Sequence, residues 1–427
     1  MIAAWISERF IHLFFPVFTV FVVFQPTNLY AGPIAEGCDK FLGNISTSGP
    51  PSNFLNYWNQ VTLENNGKWV NVEPNRDQMN WGPTQQAYDF CQKNNIPFKH
   101  HTFLWNEQAP NWIKSLPAAQ QKEEVEEFIR EYGKRFPNTA FIDVVNEAIN
   151  KSPSWKGALG GDGETGYDWM VWAFAKAREY CPNAKLLINE YYCEYDLERV
   201  TEYLKMINVL KERDLIDGIG LQTHDGETKK GFGMGTLRQC LDSLATSGLP
   251  LYSTEFDMAG SDDEQLKWYQ DIFPIIWEHP AVRGVTLWGW TDSWLLRISN
   301  PKDARLIING RERPALKWLR EYVAEHKTTI PTYTRESMHI IIPDKAVMRV
   351  TGIPDGGYRI RFDQSTDGTA RVQLFDLMGR NGFSRRVDCG RGPVAISVPR
   401  SAGAAGTSVL RLRKGTAEQL LQAASVR

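Results

Sequence analysis

Eight short apolar runs, rich in β-branched and aromatic residues, recur between residues 41 and 292. A run that is apolar on both faces is typical of a buried parallel strand. Successive parallel strands need a long crossover connection, which is usually a helix. The runs span residues 41–45, 60–68, 98–105, 141–147, 185–191, 217–224, 251–257 and 284–292.

Amphipathic segments with helical spacing separate most of these runs, at residues 121–136, 168–180, 194–213, 237–245 and 264–278, and another follows at 314–325. Strands that alternate with helices eight times are the pattern of a (β/α)8 TIM barrel. A doubly wound sheet also alternates, but no Gly-rich phosphate loop follows the first run. We therefore predict an α/β chain in which residues 38–327 form a (β/α)8 TIM barrel.

Polar or aromatic residues stand at or near the end of every run. One run ends in Asn146 and Glu147, and another carries Glu255 followed by Asp257. The C-terminal ends of barrel strands meet at one mouth, where barrel enzymes carry out their chemistry. A ring of such groups suits a polyhydroxylated ligand, and two carboxyl groups suit glycoside hydrolysis. Glu147 alone could equally cap the next helix, but the second carboxylate at another strand end favours catalysis.

The composition of the chain changes near residue 337. From there to the end there are 14 Lys/Arg and 7 Asp/Glu, a net of +7; the whole chain is −2, so the preceding part is −9. Thr and Pro at 328–337 predict a linker. Alternating runs at 339–342, 346–350, 358–362, 370–376, 394–398 and 408–412 predict a small all-β sandwich domain over 338–427. This basic module has no Trp. Secretion sorting or surface attachment, carbohydrate binding, or neither of these are open alternatives for it.

The N-terminal segment has the features of a targeting sequence. Arg9 precedes an apolar run at residues 10–24, which Pro16 interrupts, and small residues follow near Ala31. We predict a secretory signal peptide over residues 1–31, because the run is short for a membrane span, and a membrane anchor is the alternative. In an exported protein, Cys181 and Cys193 are the nearest candidates for pairing, since they flank one predicted strand. No C-x-x-C or His-rich spacing indicates zinc.

The motifs at the ends of the runs resemble those of family 10 glycoside hydrolases, the retaining endo-β-1,4-xylanases. The matching stretches, in family order between about residues 40 and 326, are FLGN, VTLENNGKW, HTFLWNEQAPNW, DVVNEA, INEYY, GIGLQTH, STEFD and TLWGWTD. The resemblance implies that Glu147 is the general acid/base and that Glu255 is the nucleophile of a double displacement. It implies no cofactor, and the mechanism requires no metal.

The resemblance also implies roles in substrate binding. Asn146 matches the residue that hydrogen-bonds the sugar 2-hydroxyl, and His224 matches a neighbour of Glu255, with Asp257 behind it in an orienting role. Trp288 and Trp294 match stacking platforms, although a core position is the usual alternative for a Trp. The full predicted binding set is Glu64, Asn65, Lys68, His101, Trp105, Gln108, Asn146, Gln222, His224, Trp288 and Trp294.

Several positions depart from the family pattern. Leu63 and Gly67 stand where the family usually has Pro and Met, and His100 stands where a Gly usually precedes the third-strand His. The usual Asn-Asp-Tyr-Asn is NEYY at residues 189–192, and the stretch at 288–294 is about two residues shorter than usual. Neither carboxylate is affected, so the departures concern the shape of the subsites rather than the mechanism.

We therefore expect an exported, monomeric endo-acting enzyme, secreted or at the cell surface, that cleaves internal β-1,4-xylosidic bonds of xylan or a related plant cell-wall polysaccharide. The net charge of −2 gives no indication of a nucleic-acid partner. One alternative is a retaining hydrolase of another β-linked glycan, either mixed-linked or β-1,3-linked. A second is a non-catalytic polysaccharide-binding barrel, which the presence of both carboxylates disfavours.

Overall fold

A computed structural model describes residues 32–291 and 304–327 in full, together with the backbone of further strands between residues 338 and 424. Eight parallel strands form a closed barrel in chain order, because β1 pairs with both β2 and β8. The strands are β1 (Phe41–Ser46), β2 (Val61–Leu63), β3 (Phe98–Leu104), β4 (Phe141–Asn146), β5 (Lys185–Glu190), β6 (Gly218–Leu221), β7 (Leu251–Phe256) and β8 (Val282–Leu287). The predicted (β/α)8 TIM barrel is confirmed.

Helices connect the barrel strands. They are α1 (Trp69–Val72), α2 (Gly82–Asn94), α3 (Ala118–Arg135), α4 (Asp168–Tyr180), α5 (Leu197–Glu212), α6 (Asp225–Gly233), α7 (Leu237–Ala245), α8 (Asp262–Trp277) and α9 (Pro314–Glu325). Side-chain caps fix where some of them begin. Asp196 accepts two backbone N–H groups at the start of α5, and Ser261 and Glu264 form a capping box on α8. In the described parts of the chain, no helix has the length and apolar character that crossing a membrane requires.

Three strands are shorter than the predicted runs by three residues or more. The run at 60–68 is a strand only to Leu63, because Asn65-Asn66-Gly67 turns the chain toward α1 and Lys68 becomes its N-cap. The run at 217–224 ends at Leu221, and the run at 284–292 starts earlier, at Val282, and ends at Leu287. In each case the polar residues lie beyond the strand, in the loop above the barrel mouth.

An apolar cluster fills the N-terminal end of the barrel. The rings of Phe41, Phe141 and Tyr252, from β1, β4 and β7, lie with centroids 5.2 to 6.0 Å apart, and Leu187 joins them. Gly284 on β8 makes room for this packing, since a Cβ there would lie 2.3 Å from the Phe41 ring. The polar groups at the strand ends therefore lie at the opposite end of the barrel.

The C-terminal strands form two four-stranded antiparallel sheets, in the orders β11-β12-β13-β16 and β15-β14-β17-β18. Their bounds are β11 (Met338–Ile341), β12 (Val347–Gly352), β13 (Tyr358–Gln364), β14 (Gly368–Asp376), β15 (Asn381–Cys389), β16 (Gly392–Val398), β17 (Thr407–Lys414) and β18 (Ala417–Ala424). A ladder of β9 (Ile307–Ile308) and β10 (Arg311–Glu312) precedes α9. The packing of the two sheets as a sandwich stays a prediction.

Other predictions fall outside the described residues or are corrected. The signal peptide at 1–31 and the linker at 328–337 lie outside the described residues. Cys181 and Cys193, the nearest candidates for pairing, are both buried free thiols. They lie at opposite ends of the segment that carries β5, a strand of six residues, which would be about 20 Å long at 3.3 Å per residue. A disulfide needs Cα atoms within about 7 Å.

Candidate active site

The first carboxylate lies directly after β4. Glu147 has φ 58°, a left-handed conformation that non-glycine residues seldom adopt. Its N–H donates to the carbonyl of Asn189 on β5 at 2.8 Å, so the turn is attached to the neighbouring strand. Such a backbone costs about 1–3 kcal/mol and persists where the surroundings hold it, often at functional sites. The residue is only 8% exposed.

Three neutral donors contact the Glu147 carboxyl. Trp105 Nε1 donates to Oε2 at 2.9 Å, Gln222 Nε2 donates to Oε1 at 2.9 Å, and Asn146 Nδ2 donates to Oε1 at 3.3 Å. Burial raises the pKa of Glu147, and the negative charge of Glu255 raises it further, although the Gln222 and Trp105 hydrogen bonds oppose the shift. Glu147 therefore keeps its proton to a higher pH than an ordinary glutamate does.

The second carboxylate, Glu255 on β7, has cationic neighbours that Glu147 lacks as direct contacts among the described residues. His224 Nε2 lies 3.2 Å from Oε2, and His101 Nε2 lies 4.0 Å from Oε1. Burial opposes ionisation, but the His224 hydrogen bond and the charges of His101, His224 and Lys68 lower the pKa of Glu255 to about 2. Glu255 is therefore ionised under conditions in which Glu147 is protonated.

Asp257 holds the histidine that contacts Glu255. His224 Nδ1 lies 3.0 Å from Asp257 Oδ2, and the backbone N–H of Asp225 donates to Asp257 Oδ1 at 2.6 Å. Although burial favours neutral imidazole, the carboxylates of Asp257 and Glu255 hold the pKa of His224 well above its usual range. The imidazolium can therefore donate from both ring nitrogens at once.

Asparagine side chains join the two carboxylates across β4, β5 and β7. Asn189 Nδ2 donates both to Glu255 Oε1 at 2.8 Å and to Asn146 Oδ1 at 2.9 Å, and Asn146 in turn contacts Glu147. Thr254 Oγ1 donates to Asn189 Oδ1 at 2.6 Å, which fixes the orientation of that amide. Asn189 was not in the predicted set, although its place at a strand end was the signal that could have included it.

Residues of the β2–α1 and β3 segments form a second polar group at the mouth. Lys68 Nζ donates to Asn65 Oδ1 at 3.1 Å and lies 4.8 Å from the centre of the Trp105 ring, and Gln108 Nε2 is 3.5 Å from Asn65 Oδ1. Burial raises the pKa of Glu64 and lowers the pKa of Lys68, and each group's charge opposes the shift of the other. A cation, a carboxyl group and amides held this way offer both donors and acceptors to a sugar.

A buried ion pair supports His101 from below. Lys99 Nζ and His101 Nδ1 each lie 2.8 Å from Asp143 Oδ2, inside the barrel. Trp288 is also buried and packs edge-on against two histidines, with ring centroids 5.6 Å from His101 and 6.3 Å from His224. Trp288 therefore lies beside the nucleophile side of the site.

Comparisons with known proteins agree with this geometry. The model of glycosyl hydrolase family 10 matches residues 38–322, about two thirds of the chain. The chain belongs to glycosyl hydrolase family 10. Endo-1,4-beta-xylanase B of Cellvibrio japonicus is 38% identical over 285 residues, which are 66% of this chain and 45% of that protein. Endo-1,4-beta-xylanase A of Caldicellulosiruptor saccharolyticus is 29% identical over 301 residues, covering 61% of this chain and 85% of the relative.

Solved structures show the same fold. Xylanase 10B from Thermotoga petrophila RKU-1 in complex with xylobiose is 26% identical, with a TM-score of 0.59, and the match covers 69% of this chain and 96% of that one. Native xylanase 10B from Thermotoga maritima is also 26% identical with a TM-score of 0.59, over 69% of this chain and 98% of that one. The family resemblance read from the motifs is therefore confirmed.

The family 10 domain brings nearly all of the predicted site residues to one mouth. Trp294 lies outside the described residues, so its role stays a prediction. Asp143, Lys99 and Asn189 belong to the same group of hydrogen bonds and ion pairs and were missed. Two of them lie inside the barrel, where a polar residue in an apolar run gives no indication of its partner.

Two of the departures from the family pattern compensate each other in this family 10 domain. The His100 ring is fully buried against Tyr132, with centroids 4.1 Å apart. A Cβ on Gly67 would lie 3.4 Å from His100 Nδ1 and 3.0 Å from the carbonyl oxygen of His101. Burial holds the pKa of His100 well below its usual range, so this ring is neutral. The small residue at position 67 leaves room for the large one at position 100.

One group of carboxylates outside the mouth has the spacing of a metal site. Oxygen atoms of Glu73, Asp77 and Glu124 lie within 4.8 Å of one another. Arg76 Nε already donates to Glu124 Oε1 at 2.8 Å, and Trp69 Nε1 donates to Glu73 Oε2 at 2.8 Å. Protein donors therefore occupy two of the three carboxylates.

Proposed function

We propose that the family 10 domain is a retaining endo-β-1,4-xylanase in which Glu147 is the general acid/base and Glu255 is the nucleophile. The observation that carries the proposal is the difference between the contacts of the two carboxyl groups: Trp105 and Gln222 donate to Glu147, whereas His224, held by Asp257, contacts Glu255. The pKa of Glu147 is raised, whereas the pKa of Glu255 is lowered to about 2. Retaining hydrolysis needs one protonated and one ionised carboxyl group in the ground state.

In the first step, a carboxylate oxygen of Glu255 attacks the anomeric carbon as the glycosidic C–O bond breaks. The proton of Glu147 passes to the departing oxygen, so the leaving sugar departs as a neutral alcohol. Trp105 and Gln222, which donate to the Glu147 oxygens, stabilise the carboxylate that results. Asn146, hydrogen-bonded between Glu147 and Asn189, is placed to meet the sugar 2-hydroxyl.

In the second step, Glu147 removes a proton from water, and the oxygen of that water attacks the anomeric carbon. The ester bond to Glu255 breaks, and both carboxyl groups return to their starting states. Esterification of Glu255 removes the negative charge that helped to raise the pKa of Glu147, so Glu147 becomes a better base at this stage. His224, held by Asp257, stabilises the departing Glu255 carboxylate.

The substrate class rests on the relatives and on the rim. The relatives at 38% and 29% identity are both endo-1,4-beta-xylanases, and a structural neighbour holds xylobiose. The group of Glu64, Asn65, Lys68 and Gln108 offers hydrogen bonds to several hydroxyls of one sugar, as a glycone subsite needs. We therefore propose that internal β-1,4-xylosidic bonds of xylan are the target.

Reducing-sugar release from β-1,4-xylan, carboxymethyl cellulose and β-1,3-xylan tests this function. The wild type is expected to release sugar from β-1,4-xylan with a rapid fall in viscosity, which indicates internal cleavage, and the β-anomer should appear first in NMR spectra. Glu255→Ala should lose this activity, while Glu124→Gln, a buried carboxylate outside the mouth, should retain it. Activity on another glycan alone would overturn the substrate, and first release of the α-anomer would overturn the mechanism.

We also propose that the protein is exported and that residues 338–427 engage secretion or cell-surface machinery. The apolar run at residues 10–24 supports export. The C-terminal module has a net charge of +7 and no Trp, whereas modules that bind polysaccharides generally use exposed aromatic side chains, so secretion or surface attachment is favoured. Mass spectrometry of the protein from culture medium and cells would test both ideas. A mature chain starting near residue 32 is expected outside the cells, and its export should fail without residues 338–427.

A further inference from the structure

A three-residue segment after β6 contacts both carboxylates of the site. Gln222 Nε2 donates to Glu147 Oε1 at 2.9 Å, and His224 Nε2 lies 3.2 Å from Glu255 Oε2. Thr223 lies between these two residues. Any movement of the Thr223 backbone would therefore displace the partners of the acid/base and of the nucleophile together.

The backbone of Thr223 is in a conformation that it would not adopt unaided. Its φ is 59°, and a β-branched residue in the left-handed region is a strong outlier. The surroundings must therefore hold it in place. Two contacts do so, because Glu194 Oε1 accepts the Thr223 N–H at 2.8 Å and Thr223 Oγ1 lies 2.6 Å from Ser253 Oγ on β7.

The burial of Glu194 is energetically unfavourable, which a purely structural role would not require. It is 1% exposed, and its Oε2 has no hydrogen-bond partner among the described residues. Nor does any Lys or Arg of the described chain form an ion pair with it within 4.0 Å. Burying a carboxyl group with one oxygen unpaired is unfavourable, so an apolar residue or an amide would serve the core better.

The backbone that carries Glu194 is itself held firmly. Gly231 of α6 packs against it so closely that a Cβ at position 231 would lie 2.1 Å from the Glu194 carbonyl oxygen. Thr236 Oγ1 donates to the carbonyl of the next residue, Tyr195, at 3.2 Å. Glu194 therefore approaches Thr223 from a rigid support, as a positioning group must.

We propose that Glu194 is a positioning residue for both carboxylates, and that it acts through its hydrogen bond to the Thr223 N–H. This bond fixes the backbone from which Gln222 and His224 reach Glu147 and Glu255. The inference rests on the proposed function. Among the described residues, no hydrogen bond joins Glu194 to Glu147 or to Glu255. Its effect on the reaction is therefore transmitted by residues 222–224, whose backbone it holds.

The proposal predicts a specific kinetic defect. In Glu194→Ala the Thr223 N–H is buried without an acceptor, and residues 222–224 relax. We expect kcat on xylan to fall about 10- to 100-fold, the effect of about 1–3 kcal/mol, with KM changed less than threefold. Glu194→Gln keeps an oxygen for the Thr223 N–H and should retain kcat within about threefold.

Two further readouts separate positioning from general loss of structure. Dinitrophenyl β-xylobioside needs no proton for its leaving group, and kcat/KM on it depends only on the first step. A defect limited to Glu147 would therefore spare kcat/KM on this substrate, whereas displacement of both carboxylates lowers it. The acid limb of the profile of kcat/KM against pH should also move to higher pH, because Glu255 loses the contact with His224. The other charged groups around Glu255 stay in place, namely His101, Lys68, Glu64 and Glu147. The charged groups that face Glu194 itself are His224 and Glu227.

Controls keep the outcome decisive. Glu124→Gln removes a buried carboxylate elsewhere and should leave the acid limb unmoved even if it lowers the melting temperature. If Glu194→Ala does not fold, Glu194→Asp, which shortens the side chain by one methylene, should give a smaller loss in the same direction. A folded Glu194→Ala or Glu194→Asp enzyme with wild-type kcat and acid limb would overturn the inference. An inactive wild type would overturn the proposed function instead.

Discussion

The low pKa of Glu255 depends most on one side chain, and its replacement makes a quantitative test. His224 provides the hydrogen bond that lowers the pKa most, ahead of the charges of His101, His224 and Lys68, all against the cost of burial. In His224→Ala that bond and one positive charge are lost, while His101 and Lys68 remain. Burial then has less opposition, so the pKa of Glu255 should rise.

The size of this rise follows from the contact. The pKa of Glu255 is lowered from 4.5 to about 2, so the carboxylate is favoured by about 2 to 3 pH units, roughly 3 to 4 kcal/mol. A hydrogen bond to a charged group contributes about 1.5–3 kcal/mol. Removal of the His224 hydrogen bond should therefore move the acid limb of kcat/KM to higher pH by about 1 to 2 units. The limb would move from near pH 2 to between about pH 3 and pH 4. Initial rates on dinitrophenyl β-xylobioside between pH 2 and pH 7 measure this limb.

A matched histidine controls for the loss of a buried ring. His279 is also buried and lies 3.1 Å from a carboxylate, Asp242, but both are remote from the mouth. His279→Ala should leave the acid limb where it is, and Asp257→Asn should move it less than His224→Ala does. An unchanged acid limb in His224→Ala would show that other groups keep Glu255 ionised, and would refute the reasoning.

Four further outcomes are expected. Trp105→Phe removes a donor to the Glu147 carboxylate, so the pKa of Glu147 and the alkaline limb should rise by about one pH unit; a downward movement would contradict this. Gly67→Ala should cost about 1–2 kcal/mol of unfolding free energy, because the added Cβ would lie 3.0 Å from the backbone carbonyl oxygen of His101, and equal melting temperatures would contradict it. Phe141→Ala should cost about 3–5 kcal/mol in urea unfolding, while a surface Ala substitution costs under 1. EDTA dialysis should leave activity unchanged, since the proposed mechanism needs no metal.

The barrel could be predicted because each strand and most helices show their pattern of apolar residues within a short stretch of sequence. Each apolar run is a strand, and α4, α7 and α9 have the bounds that the amphipathic pattern predicts. α2 and α6 were missed because Gly and polar residues in Gly82–Asn94 and Asp225–Gly233 obscure the helical period. In the C-terminal module, β15 and β18 were missed because SRRVD breaks the alternation and AEQLLQAA favours a helix.

The two carboxylates could also be proposed from the sequence, since each stands at the end of a strand, but their different roles came only from the family resemblance and not from the residues themselves. Glu147 and Glu255 are the same residue type, and only their partners separate their pKa values. Those partners come from three other strands or the loops after them. Trp105, Gln222 and Asn189 lie 42 to 75 positions away from the carboxylate that each contacts, and His224 lies 31 positions away. These contacts depend on the closed barrel, so the spacing of the residues along the chain does not predict them.

The most direct test of the central claim is covalent trapping of the nucleophile. Dinitrophenyl 2-deoxy-2-fluoro-β-xylobioside forms the glycosyl-enzyme readily but hydrolyses slowly, because the fluorine destabilises the second transition state. After proteolysis, mass spectrometry should find one fluoroxylobiosyl group, on the peptide that contains Glu255 and on that residue, and Glu255→Ala should give none. A label on Glu147 or on any other residue, or hydrolysis of xylan by a wild type that is never labelled, would contradict the account.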